Sequence, residues 1–212
     1  MNRFDFAVLL IALGLCAACI AVVKHVAMGR DPWIPKAAVV DLTPADITGT
    51  SRDYRGNPKA PFTLVEFADY QCPACESAHP RVREALARNP GELKYLFRHF
   101  PLPGHNLAEP AAEAASAAGL QGHFWEMHDL LMESHGNLNE ASLLSGVRQL
   151  HLDASRFLAD RSSAARKRVM TDRAAAERVG VTYTPTFFLC CPDRKVIKLG
   201  RLEDLGSYLA PH

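Results

Sequence analysis

The chain has 212 residues, of which 48% are hydrophobic and 22% charged, so it is neither intrinsically disordered nor collagen-like. Its 24 lysines and arginines nearly balance 23 aspartates and glutamates. The resulting net charge of +1 argues against nucleic acid as a main partner. Six cysteines are too few for a small disulfide-stapled scaffold.

The first predicted element is an apolar helix over residues 6–23. This stretch contains 18 consecutive uncharged residues. As a helix it would be about 27 Å long, enough to cross the hydrocarbon core of a bilayer. No small-residue cleavage site follows, so the sequence favours an uncleaved membrane anchor over residues 1–30. A cleaved signal peptide and lipidation at Cys19 are the alternatives.

The composition then changes, and residues 31–54 are rich in Pro, Gly, Asp and Thr. This composition predicts a linker with an edge element, leading to one domain over residues 55–212. Apolar runs with β-branched residues predict strands, and 3.6-residue periodicity predicts helices. The predicted strands are 62–69, 93–100, 184–190 and 195–200. The predicted helices are 76–89, 108–120, 123–134, 139–150, 153–160, 163–180 and 202–210. This order indicates an α/β fold with a mixed central sheet and a helical insertion.

Cys72, Pro73, Ala74 and Cys75 form a CPAC motif between the first strand of this domain and the helix that follows. Sulfurs at positions i and i+3 lie on one face of a first helical turn, close enough to form a disulfide. Unpaired N–H groups at a helix N-terminus stabilise a thiolate at Cys72, and Pro73 suits the first helical position. The pattern predicts a reactive thiolate with a partner thiol that resolves a mixed disulfide.

Other interpretations of the motif are weaker. A zinc site needs two further ligands, and the adjacent Cys190 and Cys191 match the usual ligand spacing poorly. A structural disulfide at an exposed helix start would be reactive rather than stabilising. Cys190 and Cys191 are themselves open to three interpretations: a vicinal disulfide, a second dithiol exchanging with the CPAC pair, or two inert buried thiols.

An acid lies close before the motif. Glu66 is six residues before Cys72 inside the apolar strand, where burial would raise its pKa and suit it to relay a proton to Cys75. An outward-facing Glu66 on an edge strand is the alternative. Asp69 is the competing acid, and its place at the strand end predicts that it is solvated.

A proline precedes the third predicted strand. Thr184-Pro185 is open to two interpretations, routine strand punctuation or a cis peptide that presents the Thr184 backbone to a substrate chain. By contrast, His99, His105, His123 and His128 show no ligand spacing such as H-E-x-x-H. We therefore expect these histidines to be surface or packing residues, with no metal site and no cofactor.

Together these segments resemble the DsbA-like thiol:disulfide oxidoreductases of the thioredoxin superfamily, in particular a membrane-anchored bacterial branch. The segments that carry the resemblance are FTLVEFAD, CPAC, LFRHFPLP, AAEAA, FWEMHDLL and VTYTPTFFL, within residues 54–210. The resemblance implies a thioredoxin fold with a helical insertion over about residues 104–165.

The resemblance also implies roles for individual residues. Cys72 is implied to be the attacking nucleophile, Cys75 the resolving thiol and Glu66 the buried acid of the family. The Thr184-Pro185 bond is implied to be cis, in a loop that helps to hold the substrate. Pro73, Ala74, Thr184 and Pro185 are accordingly the expected substrate contacts.

Ala74 departs from the family pattern. The strongest oxidants of the family carry a histidine there, which helps to hold the thiolate. Without that donor we expect the reduced form to be stabilised less, and the reduction potential to be lower.

The sequence thus predicts a membrane-tethered thiol:disulfide oxidoreductase that exchanges disulfides with exported proteins, acting as an oxidant. Its expected partners are cysteine-containing exported substrates, the membrane through residues 6–23, and a membrane or thioredoxin-like protein that resets the dithiol. Its expected location is the bacterial cell membrane, with one span and the catalytic domain on the periplasmic side. The alternatives are an extracytoplasmic reductase, or a copper- or zinc-handling module that uses the cysteine pairs.

Overall fold

A mixed six-stranded sheet organises the described residues of the computed structural model, which are 37–50, 53–134 and 137–209. Its strands are β1 (Ala38–Val40), β2 (Tyr54–Gly56), β3 (Phe62–Ala68), β4 (Leu93–His99), β5 (Thr186–Cys190) and β6 (Val196–Lys198). Their order across the sheet is β1-β6-β5-β3-β4-β2. Strands β3 and β4 are parallel and every other pair is antiparallel, so the predicted mixed sheet is confirmed.

Helices cover the sheet and fill the connection between β4 and β5. They are α1 (Pro44–Thr48), α2 (Pro73–Arg88), α3 (Ala108–Gly119), α4 (Phe124–Met132), α5 (Glu140–Gln149), α6 (Ala154–Asp160), α7 (Arg166–Arg178) and α8 (Gly206–Leu209). A π-helical turn, Arg161–Ala165, joins α6 to α7, and a 3₁₀ turn, Leu202–Leu205, precedes α8. Helices α3 to α6 lie where the sequence predicted a helical insertion.

Strand β3 separates two apolar layers because its side chains alternate between the two faces of the sheet. Leu64 and Ala68 belong to the larger core, together with Cys75 of α2 and much of α3 and α4. Val65 and Phe67 belong to the smaller core, with residues of α1 and α7. Glu66 has the parity of Leu64 and Ala68, so it faces the layer that contains α2 and the cysteine pair.

Part of the segment predicted as a linker with an edge element, residues 31–54, forms regular structure at the edges of the sheet. Strand β1 pairs with β6 at one edge of the sheet, and β2 begins at Tyr54 and pairs with β4 at the other. Helix α1 buries Ile47 completely in the smaller core, and its backbone carbonyl accepts a hydrogen bond of 2.8 Å from Arg98. The sequence did not indicate these elements one by one, because each is only three to five residues long and lies in a segment rich in proline and aspartate.

Two helix boundaries also differ from the prediction. Helix α2 begins at Pro73 rather than at residue 76, and it continues through Pro80 because its apolar face is packed against the sheet. The helix predicted over 163–180 begins instead as the π-helical turn and is α-helical from Arg166 to Arg178. Asn139 and Asp153 cap α5 and α6, since each side chain accepts a backbone N–H of the following first turn.

The predicted apolar span over residues 6–23, with Cys16 and Cys19, lies outside the described residues. Within 37–50, 53–134 and 137–209, no helix has the length and apolar character needed to cross a membrane.

Candidate active site

The CPAC motif forms the junction between β3 and α2. Cys72 is the N-cap residue, with an extended backbone, and Pro73 occupies the first helical turn. The Cys72 carbonyl accepts N–H bonds from Cys75 at 3.0 Å and Glu76 at 3.1 Å, which close that turn. Both cysteines are free thiols, and the Cys72 residue is 8% exposed whereas Cys75 is fully buried. Of the two cysteines, only Cys72 therefore keeps any exposed surface, although it too is largely buried.

The two thiols differ in acidity. A hydrogen bond from the Cys75 thiol, helped by the backbone N–H groups of Cys75 and Ala74, lowers the pKa of Cys72 to about 5 against the cost of burial. Burial, followed by the hydrogen bond to Cys72 and the charge of Glu66, raises the pKa of Cys75 far above its usual range. At neutral pH the reduced pair is therefore a Cys72 thiolate beside a Cys75 thiol.

Asp69 is not solvated, contrary to the expectation from its place at the strand end. It is 1% exposed, and its carboxylate accepts backbone N–H bonds from Gln71 at 2.7 Å and Leu102 at 2.9 Å. The Nδ1 atom of His105 lies 2.7 Å from Asp69 Oδ2. The backbone N–H of Asp69 donates to the Cys75 sulfur at 3.5 Å. Asp69 thus ties the turn before Cys72 to the loop after β4.

Gln71 makes a second tie between the same two segments. Its side-chain oxygen accepts the Leu107 N–H at 2.8 Å, and its amide nitrogen donates to the Asn106 side chain at 3.3 Å. The position of Cys72 is therefore fixed by the loop over residues 101–107 as well as by its own helix.

Glu66 is buried in the middle of the sheet, so the outward-facing alternative is wrong. It is 2% exposed, and the Tyr95 hydroxyl donates a short hydrogen bond to its Oε2 atom. Its Oε1 atom has no hydrogen-bond partner among the described residues. Burial raises the pKa of Glu66 to about 7, with the Tyr95 hydrogen bond opposing the rise and the Cys72 charge adding to it.

The Thr184-Pro185 peptide bond is cis, as the resemblance implied. The Cys72 sulfur lies 3.5 Å from the Thr184 carbonyl oxygen. Pro73 and Ala74 are exposed on one side of Cys72, and Pro185 is partly exposed on the other. The structure thus brings together all four expected substrate contacts around the accessible sulfur.

Cys190 and Cys191 lie at the far end of β5 from Pro185. Cys190 is five residues further along the chain than Pro185, a distance of roughly 16 Å at the usual rise per residue of an extended strand. Both cysteines are free thiols, and burial raises the pKa of Cys190 to about 12 and also raises the pKa of Cys191. This separation disfavours a second dithiol that exchanges with the CPAC pair, because two cysteines bond only when their Cα atoms are within about 7 Å.

Sequence reasoning missed Tyr95 and His105 as parts of the site, and it wrongly predicted that Asp69 is solvated. Tyr95 is 29 residues from Glu66, and His105 is 36 residues from Asp69. One usable signal was the parallel register of the strands predicted at 62–69 and 93–100. Phe97 pairs with Glu66 in that register, so Tyr95 lies two residues away on the same face.

Comparison with known proteins agrees with this geometry. The family model described as "Thioredoxin" matches residues 48–210. A thioredoxin-like oxidoreductase from Silicibacter pomeroyi superposes with a TM-score of 0.67 at 27% identity, covering 78% of this chain and 95% of that one. The thiol-disulfide exchange protein alpha-DsbA2 from Wolbachia pipientis gives 0.65 at 23% identity, with 78% and 89% covered. BdbD from Bacillus subtilis gives 0.63 at 18% identity, with 82% and 97% covered.

Curated relatives also match most of the chain. A Na(+)/H(+) antiporter NhaA 1 from Salinispora arenicola is 46% identical over 157 residues, which are 71% of this chain and 23% of that protein. An NhaA antiporter from Nitrosospira multiformis is 37% identical over 136 residues, 63% of this chain and 22% of that protein. The chain therefore spans less than a quarter of the length of these relatives.

Proposed function

Because the chain belongs to the thioredoxin family, we propose that it is a DsbA-like thiol:disulfide oxidoreductase, and that it oxidises dithiols of exported proteins through Cys72 and Cys75. One observation carries the proposal. Cys72 keeps 8% of its surface exposed and has its pKa lowered to about 5, whereas Cys75 is fully buried with its pKa raised. An attacking thiol must be ionised and reachable, whereas a resolving thiol is held protonated and buried, and the two cysteines differ in this way.

The proposed reaction begins with a disulfide between Cys72 and Cys75. A substrate thiolate attacks the Cys72 sulfur, the disulfide breaks, and Cys75 leaves with the electron pair. A second substrate thiolate attacks the substrate sulfur of this mixed disulfide and releases Cys72 as a thiolate. The substrate gains one disulfide, and two electrons remain on the cysteine pair.

Cys75 needs a proton when it leaves, because its thiolate is strongly disfavoured by burial. We assign this proton to Glu66, whose pKa of about 7 keeps much of it protonated at neutral pH. The Glu66 charge already acts on the Cys75 thiol, which supports their coupling. In the reverse direction the ionised Glu66 would accept the Cys75 proton when a partner reoxidises the pair.

Substrate binding is assigned to the exposed rim of Cys72. Pro73 and Ala74 would contact the incoming chain on one side, and Thr184 and Pro185 on the other. The carbonyl oxygen of Thr184 is already at the sulfur, which suits it to align an extended substrate segment by backbone pairing.

The low pKa of Cys72 favours the oxidant role over the reductase alternative. A stabilised thiolate stabilises the reduced pair, and the corresponding disulfide is then a stronger oxidant. The value of about 5 lies above the family extreme of about 3.5, which agrees with alanine rather than histidine at position 74. A metal site shared by both cysteine pairs is disfavoured, because Pro185 and Cys190 lie at opposite ends of β5.

We also propose that residues 6–23 anchor the chain once in a bacterial membrane, with the catalytic domain on the periplasmic side. The support is the uncharged run of 18 residues and a chemistry that requires an oxidising compartment. A membrane protein or a second thioredoxin-like protein would reset the dithiol by accepting its two electrons.

The test is the equilibrium reduction potential in glutathione buffer, with Cys72→Ala as the control. An oxidant requires a value of about −120 to −180 mV, as in known oxidant and isomerase enzymes. A value near −270 mV, thioredoxin's range, would favour the reductase instead. An unchanged thiol titration in Cys72→Ala would contradict the active-site assignment itself.

A further inference from the structure

Two buried histidine rings meet where α2 contacts α4, about 10 Å along α2 from Cys72. His79 is 7% exposed and His128 is 1% exposed, and their ring centroids are 5.3 Å apart. The Nε2 atom of each ring is buried without a hydrogen-bond partner among the described residues. Buried polar atoms are normally satisfied by protein, water or an ion, so this pair calls for a ligand.

Two carboxylates face the same point. Asp129 Oδ1 lies 3.6 Å and Glu133 Oε1 lies 3.7 Å from the Nε2 atom of His79. One donor atom from each of His79, His128 and Asp129 lies within 4.8 Å of the others. These distances are too long for hydrogen bonds. They approach the spacing of about 3.4 Å between ligands that surround a tetrahedral zinc ion at 2.0–2.1 Å.

The protonation of the two rings suits ligation. Burial lowers the pKa of His79, although the charge of Asp129 opposes this, and burial lowers the pKa of His128 strongly. Burial thus favours the neutral ring, which is the form that binds a metal. His128 Nδ1 lies 3.1 Å from the Tyr70 hydroxyl, and donation from Nδ1 to that oxygen leaves the Nε2 lone pair directed at the site.

We propose that His79, His128, Asp129 and Glu133 bind a divalent first-row transition ion, with zinc the best match to two imidazoles and two carboxylates. Hard cations such as calcium prefer a shell of oxygen atoms, so they fit this set poorly. The side chain of Glu133 is 53% exposed, which gives the ion a route from solvent. This site is separate from the cysteine pair, and it does not depend on the direction of disulfide exchange.

Arg55 limits the affinity and orients a ligand. It donates to both oxygens of Asp129, at 2.9 Å and 2.8 Å, so it fixes the carboxylate in the way that outer partners of metal ligands do. Its positive charge also repels an incoming cation. Glu133 supplies the second negative charge, and its own partner Arg83 is at the surface. We expect a removable ion rather than a permanently held one.

The bound ion would join α2 to α4. Helix α2 begins at Cys72, whereas α4 belongs to the segment inserted between β4 and β5. The ion would also hold His128 against Tyr70, which lies two residues before Cys72. Its expected effect is therefore to stabilise the active-site turn against the inserted helices.

The test is zinc titration of the oxidised full chain against a chromophoric indicator, with Cys16, Cys19, Cys190 and Cys191 replaced by serine. Oxidation of Cys72 and Cys75 then leaves no thiol that can bind zinc. We expect the parent to bind one zinc per chain. His79→Gln and Glu133→Gln should each bind zinc at least tenfold more weakly, by analogy with the loss of about 10- to 100-fold in metal affinity when outer partners of metal ligands are changed. The matched control is His123→Gln, whose ring lies outside the cluster and whose variant should bind zinc as the parent does.

Cobalt provides the second measurement. Cobalt bound by nitrogen and oxygen gives visible ligand-field bands without a thiolate charge-transfer band, and zinc but not calcium should remove them. Circular dichroism identifies any variant that does not fold. If His79→Gln does not fold, Glu133→Gln still tests the site, because the Glu133 side chain is exposed. No zinc binding by the parent, parent-like binding by both variants, or equal displacement by calcium would each overturn the proposal.

Discussion

The Cys72 sulfur and the Thr184 carbonyl oxygen lie 3.5 Å apart, although the two residues are separated by 112 positions. This contact brings the N-terminus of α2 against the loop before β5. Cys72 is therefore held between a helix end that stabilises its charge and a backbone segment that can align a substrate. Cys75, one helical turn further, is shielded from both solvent and substrate.

Cys75→Ser should trap substrates. The remaining Cys72 thiolate can still attack a substrate disulfide, but no thiol is left to resolve the mixed disulfide. We expect protein–substrate adducts that survive non-reducing electrophoresis and disappear with reductant. Cys72→Ser should form none, because Cys75 is fully buried. Equal trapping by the two variants would contradict the assigned roles.

The Cys72 thiolate should titrate near pH 5 in the reduced protein. Its folded pKa of about 5 is below the usual thiol value of 9.0, so its contribution to stability is complete above pH 9 and is lost as the pH falls through 5. The oxidised protein lacks this titration. Between pH 7 and pH 5 the unfolding free energy of the reduced form should therefore fall by about 1–2 kcal/mol relative to that of the oxidised form. This is less than the full pKa difference would give, because solvent screens the thiolate.

This experiment compares urea unfolding of the two redox forms at pH 7 and pH 5. It is best made in a Glu66→Gln background, so that the raised pKa of Glu66 does not contribute. Thiolate ultraviolet absorbance gives the midpoint directly, and Cys72→Ser should show no such transition. A midpoint near pH 8.5, that of a free thiol, would remove the basis for an activated Cys72.

Glu66→Gln should separate proton transfer from structure. The glutamine oxygen can still accept the Tyr95 hydrogen bond, but it cannot supply a proton to Cys75. We expect oxidation of a dithiol peptide to slow by about tenfold or more. In the wild type this rate, divided by the fraction of substrate thiol that is ionised, should fall as the pH rises through about 7, because Glu66 loses its proton there. The variant should lack that inflection.

The same substitution should stabilise the protein at alkaline pH. Because the folded pKa of Glu66 is raised from 4.5 to about 7, its contribution to stability is complete below pH 4.5 and is lost as the pH rises through 7. Glu66→Gln should gain about 2 kcal/mol of unfolding free energy over wild type at pH 8 and little at pH 4. Tyr95→Phe provides the matched variant, since loss of its hydrogen bond should move the kinetic inflection above pH 7.

The thiol chemistry could be predicted because it is local in sequence. A strand, a proline at the first helical position and two cysteines one turn apart identify Cys72 and Cys75 within a dozen residues. The buried position of Glu66 also followed from its apolar neighbours. These features depend on periodicity and helix-end chemistry, which short segments encode.

The supporting contacts could not be predicted, because they join distant segments. Asp69 accepts a hydrogen bond from the backbone of Leu102, 33 residues away, and no feature of the Asp69 sequence context indicates that partner. His79 and His128 likewise belong to separate helices, and their spacing matches no ligand motif. Tertiary packing brings such groups together, whereas sequence spacing reports only neighbours along one element.

Cys190→Ser with Cys191→Ser should leave the reduction potential unchanged. The two thiols lie at the far end of β5 from Pro185, and the pKa of Cys190 is raised to about 12. We expect some loss of stability from the buried Cys190, about 1 kcal/mol. A change of more than about 30 mV, equal to 1.4 kcal/mol for this two-electron couple, would show that the second pair exchanges with the first.

The buried ion pair between Arg98 and Asp172 should be a main anchor of the segment before β2. Arg98 donates to Asp172 Oδ1 at 2.8 Å and to the Ile47 carbonyl of α1, and the side chains of the pair are 3% and 6% exposed. Asp172→Asn leaves the arginine charge uncompensated, so unfolding free energy should fall by about 3 kcal/mol or more. Asp160→Asn, which breaks the more exposed pair with Arg156, should cost less than about 1 kcal/mol. Urea unfolding tests both, and equal effects would mean that Arg98 has solvent access.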